Sequence, residues 1–212
     1  MAAHFPNSHS HTPMFLLVKG TGDPDSALAS ALCATAGLDT VEVDLGIGES
    51  AVLNNWVNRL NLAIFWAERP VVLVAHGLGC LVTAWWAEFE RPMYGHPVAG
   101  AFLIDPPDID RPGRDPRLSR LCACPRKALP FSSVLVSTID QPYTERNSLR
   151  TLASDWGATI VEGDEAKLSE LDHQAEAWPA GLYFLKRWRK PRTSDVAARR
   201  SFKPLPALEQ GS

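Results

Sequence analysis

Val71-Val72-Leu73-Val74-Ala75-His76-Gly77-Leu78-Gly79-Cys80 runs without a break into Leu81-Val82-Thr83-Ala84-Trp85-Trp86. A short run of apolar, mostly β-branched residues is the mark of a strand buried on both faces, where alternation is not required. The glycines that follow mark a sharp turn, and the pattern beyond it is helical, with Leu81, Val82, Trp85 and Phe89 at spacings of three and four before Pro92 stops it. Strand, tight turn and helix in so few residues predict a helix seated directly on a parallel sheet. The remainder of the chain fits around that unit.

On the amino-terminal side, Met14-Phe15-Leu16-Leu17-Val18 is a first buried strand and Lys19-Gly20-Thr21-Gly22-Asp23-Pro24 a loop. Asp25 or Ser26 can cap a helix through about Ala36, which Gly37 ends. Val41 to Asp44 reads as a second strand. From Ser50 onward Leu53, Trp56, Val57, Leu60, Ile64 and Ala67 place one face of a long helix on the sheet. On the carboxyl-terminal side, Val98 to Ile104 and Ser133 to Ser137 are strands four and five, Thr144 to Trp156 a helix closed by Gly157, and Ala158 to Val161 strand six. A last helix fits around Ala180 to Trp188, and the Met and Trp residues of the helices are assigned to the core. Residues 105–130, rich in proline and charge, are expected to pass over the carboxyl edge of the sheet as a lid or wall. Alternating strand and helix periods imply an α/β fold with a mostly parallel sheet covered on both faces, whose ligands bind beyond the carboxyl ends of the strands.

The chain has 212 residues, enough for one substantial core and short of two ordinary domains. Residues 1–12 read as a disordered lead-in, 13–190 as the domain and 191–212 as a flexible basic tail. A net charge of −3 offers no global case for nucleic acid, although Lys186 to Lys203 holds eight basic residues against one acid, Asp195. A solvated helix end followed by a free tail is preferred there. No apolar run reaches the length of a membrane span, and Met1 to Pro6 has neither the basic nor the apolar region of a signal peptide. Four cysteines, Cys33, Cys80, Cys122 and Cys124, fit structural thiols in a reducing, cytoplasmic setting better than a metal site. No metal or other cofactor is expected.

Several motifs, in order, carry a resemblance to the small YdeN-like, retinoblastoma-binding-protein-type serine hydrolases within the α/β-hydrolases. Ala75-His76-Gly77-Leu78-Gly79-Cys80 resembles that family's Ala-His-Ser-Leu-Gly-Cys, the nucleophile elbow. Gly100 to Asp108 is similar to its strand-four signature, Leu129 to Val134 with Gln141-Pro142-Tyr143 to the approach to its acid, and Trp178-Pro179-Ala180-Gly181 to its carboxyl-terminal motif. The likeness covers roughly residues 13–190. It implies a single-domain α/β-hydrolase fold of about six strands and a Ser-His-Asp triad.

The triad positions depart from the family together. The nucleophile falls on Gly77, the acid on Gln141 with Asp140 one residue earlier, and the base on Lys167. Gly20, Thr21, His76, Leu78 and Asp105 would line the pocket and the oxyanion region. The expectation is a catalytically inactive pseudo-hydrolase that binds a small molecule or a protein at the carboxyl edge of the sheet, with its oligomeric state left open. Two readings stand beside it. In one, a working carboxylic-ester hydrolase uses a relocated nucleophile or base, Cys80 or His173; in the other, an interaction module uses the basic tail.

Overall fold

A computed structural model describes residues 12–19, 26–45, 53–111, 124–137, 146–162, 183 and 185–188. The described chain alternates between strand and helix: β1 (Met14–Lys19), α1 (Ser26–Thr35), β2 (Thr40–Val43), α2 (Leu53–Phe65), β3 (Val71–His76), α3 (Leu78–Glu90) and β4 (Val98–Ile104). Then come β5 (Ser132–Ser137), α4 (Arg146–Trp156) and β6 (Thr159–Glu162). All six strands join one sheet in the order β2-β1-β3-β4-β5-β6, every pairing parallel. The expected α/β-hydrolase-type architecture is the one observed.

Burial explains why the central strands lack alternation. Every residue of β3 is buried, because odd and even positions face two separate cores. Leu16, Val18, Leu73, Ala75, Ala101, Leu103 and Leu135 pack with α2, α3 and α4 on one face. Phe15, Leu17, Val72, Val74, Phe102, Ile104, Val134 and Val136 pack with α1 and Leu185 on the other. Trp188, in the helical stretch at residues 185–188, lies edge-on to Phe102 at 6.4 Å between ring centroids, over Gly100.

The strand order places the site. The chain leaves β1 for α1 on one face, and leaves β3 for α3 on the other. Because β1 and β3 are neighbours, the connections at their carboxyl ends diverge and open a crevice between them, where open parallel sheets bind ligands. In register, Lys19 at the end of β1 lies beside His76 at the end of β3. The turn at Gly77 stands at this point.

Three sequence expectations are corrected. First, residues 124–130 do not lie over the carboxyl edge. Leu129 N–H donates to Trp156 O at 3.0 Å, Trp156 Nε1 to Pro125 O at 2.9 Å and Gly95 N–H to Pro130 O at 2.9 Å, so this stretch runs along α3 and α4 toward the amino edge. The reason is topological: β5 is parallel to β4, so the chain must recross the sheet before Ser132. Second, Phe89 is about half exposed and Trp85 half-buried, while Trp86, one residue on, is fully buried and donates to Asn61 Oδ1 at 3.0 Å. Third, Trp66 lies outside the core, at 74% exposure. A helical period fixes relative positions around an axis, and the neighbouring helix decides which side is covered.

The first turn of α3 approaches the sheet very closely. A Cβ at Gly79 would fall 2.3 Å from Val18 O, a backbone atom that cannot step aside. Gly79→Ala is therefore expected to destabilise the fold by ~1–3 kcal/mol through overpacking. That loss would be read as a lower urea midpoint and a melting temperature down by about 2–4 °C per kcal/mol. Unchanged unfolding would mean that α3 can lift off β1 freely.

Candidate functional site

The site is built from the end of β3 outward. Gly77 has φ 54° and ψ −122°, a conformation that a residue with a Cβ enters only at a cost of about 1–3 kcal/mol. Glycine adopts it freely. Its N–H donates to Ile104 O at 2.9 Å, which ties the turn to β4, and its carbonyl accepts from Cys80 N–H at 3.1 Å, which starts α3. The chain thus reverses within one residue and presents the first turn of α3 at the crevice. The first N–H groups of a helix, ahead of its first i-to-i−4 bond, are the ones that point out of its end, and the helix dipole makes that end weakly positive.

The end of β4 flanks the turn on the side away from β1. Asp105, immediately after the strand, has φ 47° and is 3% exposed, and its N–H donates to Val136 O at 3.0 Å. Asp108 is equally buried; its Oδ1 accepts from Asp110 N–H at 3.0 Å, whereas Oδ2 has no hydrogen-bond partner among the described residues. Asp108 and Lys19 are residues near these strand ends that sequence reasoning did not single out. The Asp108-Ile109-Asp110 spacing announces the side-chain-to-backbone turn, but nothing local announces the burial. Lys19 Nζ is held 2.6 Å from Glu42 Oε1 on β2, beside the crevice.

Of the residues expected at the site, Gly77, His76, Leu78, Cys80 and Asp105 meet at or beside the β3 and β4 ends. His76 is wholly buried at the last position of β3, and Leu78 is buried as the first residue of α3. Gly20, Thr21, Asp140, Gln141, Lys167 and His173 lie outside the described residues, as do Cys122 and the basic tail beyond Trp188. A cavity of about 230 Å³ among the described residues opens elsewhere, between the last turns of α3 and residues 125–130, with Glu88, Arg91 and Lys127 in its walls.

The cysteines are set into packing. Cys80 Sγ lies 3.4 Å from both Ala75 O and Ile104 O and is 1% exposed, pointing back into the sheet. Burial pushes the Cys33 and Cys124 thiols up to about 12, Arg126 only partly opposing this at Cys124.

Comparison with known proteins agrees with this architecture. A family model described as serine hydrolase matches residues 26–187. A YdeN-like hydrolase from Pectobacterium atrosepticum is similar in structure, with a TM-score of 0.64 at 20% identity over 85% of this chain and 92% of that one. The ydeN gene product of B. subtilis follows at a TM-score of 0.58 and 16% identity, covering 84% and 98% of the two chains. Carboxyl esterase 2 from Tuber melanosporum has a TM-score of 0.60 at 13% identity, covering 86% and 80%. No curated protein sequence matches. At these identities the neighbours establish the fold alone.

The buried thiols give a direct expectation. A thiol whose pKa is raised by folding favours the native state below its unfolded value near 9, and that contribution is lost as pH climbs toward 12. Iodoacetamide at pH 8 should leave Cys33, Cys80 and Cys124 unmodified in the native protein and label all three in urea, as read by peptide mass spectrometry. Rapid native labelling of Cys80 would mean that its sulfur reaches the crevice.

Proposed function

The chain belongs to the serine hydrolase family, and from that membership we propose that it is a pseudo-hydrolase, which retains the family's crevice and binds a ligand there without cleaving it. The observation that carries this reading is Gly77. The turn between β3 and α3, where the family resemblance puts the nucleophile, has φ 54° and ψ −122° at a position with no side chain. Acyl transfer needs an attacking oxygen or sulfur at that turn, a base to take its proton and an acid to orient the base. The family's acid and base positions fall on Gln141 and Lys167, neither of which can play its usual part. Gln141 carries no charge to hold an imidazolium, and an ordinary lysine is protonated at neutral pH.

Binding asks less of the same crevice. The first turn of α3 offers N–H donors of the kind that receive a carbonyl or carboxylate oxygen. Asp108 Oδ2, buried without a partner among the described residues a few positions past the end of β4, carries a desolvation cost that a donor-bearing ligand would offset. A small molecule with an acyl oxygen and a hydrogen-bond donor fits both features. The burial of Cys80 Sγ against two backbone carbonyls weighs against the reading in which that cysteine has become the nucleophile.

The test is hydrolysis of p-nitrophenyl acetate and butyrate by the native protein and by Gly77→Ser. The native protein is expected to match a heat-killed control. Gly77→Ser should remain inactive, because restoring the hydroxyl does not restore its helpers, and should lose about 1–3 kcal/mol of stability to the positive φ. Robust turnover by the native protein would overturn the proposal. Turnover that appears only in Gly77→Ser would show a working acid and base elsewhere in the chain and refute the joint loss.

A further inference from the structure

The cavity of about 230 Å³ between the last turns of α3 and residues 125–130 is separate from the Gly77 crevice. α3 spans 13 residues, so its far end lies about 20 Å from the Gly77 turn. Short side chains open the space. Ala84 and Ala87 lie one turn apart on α3, and Ala128 is the matching small residue of the other wall. The surrounding backbone is held in place. Pro92, Pro125 and Pro130 each have a fixed φ. Arg91 N–H donates to Ala87 O at 3.1 Å, Gly95 N–H to Pro130 O at 2.9 Å and Leu129 N–H to Trp156 O at 3.0 Å. Lys127 Nζ, 2.7 Å from Glu88 Oε1, ties the loop to the helix. A cavity with walls fixed in this way is formed before any ligand arrives.

Its charges are unequal. The hydrogen bond from Lys127, with the nearby charge of Arg91 adding to it, holds the Glu88 carboxyl below the usual carboxylate range. Arg91 itself has no ion pair among the described residues. Two cations against one anion leave the walls with a single positive charge.

We propose that this cavity binds a small monocarboxylic acid with a compact apolar body, its carboxylate on the Arg91 guanidinium and its body against Ala84, Ala87 and Leu129. Size is the first argument. An apolar cavity of about 150 Å³ accepts benzene, so the volume here admits a single ring or a short branched chain together with its carboxylate. Charge is the second. The planar fork of an arginine matches a carboxylate, and one negative charge balances the walls. A phosphate dianion would bring surplus charge beside Glu88 and the carbonyl end of α3. The lining is the third. The alanines and the buried Leu129 offer apolar surface that a bare inorganic anion would leave unused.

Titration of the isotope-labelled full chain with sodium benzoate, read by amide nuclear magnetic resonance, tests this. Shifts that saturate in the millimolar range are expected at Glu88, Arg91, Lys127 and Ala128. Arg91→Gln should weaken binding about tenfold or more, because it removes a charge-assisted pair. Benzyl alcohol, which keeps the ring without the charge, should bind the native protein as weakly. Inorganic phosphate at matched ionic strength should leave these amides short of saturation. Ala87→Leu should fill the cavity and abolish the shifts; if that variant fails to fold, Arg91→Gln, at an exposed position, carries the comparison. Shifts that rise linearly with benzoate, that survive Arg91→Gln or that phosphate reproduces overturn the proposal. So do shifts confined to Leu78 and Gly79, which would put the acid in the crevice instead.

Discussion

Everything at the crevice depends on how closely the first turn of α3 is pressed onto β1. The Val18 carbonyl occupies the space a side chain at Gly79 would need, and two residues earlier Gly77 takes a backbone conformation that only glycine enters without strain. Together they let the chain leave a fully buried strand and begin a helix within one residue. The turn is tied to β4 through Ile104 O, and Cys80 fills the space behind it. Loosening this contact would move the helix end, the strand ends and the crevice at once.

On the pseudo-hydrolase reading proposed above, the same constraint would let a hydrolase scaffold outlast its chemistry. In an active member the elbow places a strained residue at the nucleophile position and the fold bears that cost. Glycine at position 77 takes this path of the backbone without that cost. The proposed binding of an acyl compound rests on that preserved backbone path.

The fold was legible in the sequence because a parallel sheet buried on both faces needs uninterrupted apolar strands, and Phe15 to Val18, Val71 to Ala75 and Phe102 to Ile104 are such runs. Helix ends were legible where glycine takes positive φ, as at Gly37 and Gly157. What escaped were properties set by neighbours distant in sequence. The exposure of Phe89 and Trp66 depends on where α2 stops beside α3, and the path of residues 124–130 on the need to recross the sheet. The tight turn at Gly77 was recognisable from its flanking motif. The burial of Asp108 was not, because nothing in Asp-Ile-Asp tells a surface turn from a buried one.

The central claim is that the Gly77 crevice binds acyl compounds and leaves them intact. Nuclear magnetic resonance of the labelled protein titrated with a short-chain ester reads both halves of that claim in one sample. The account predicts amide shifts that saturate at Leu78, Gly79 and Asp105, while the ester signals persist as they do in buffer alone. Steady conversion of the ester to acid and alcohol, at a rate proportional to protein, would contradict it, as would an ester that leaves those amides unmoved.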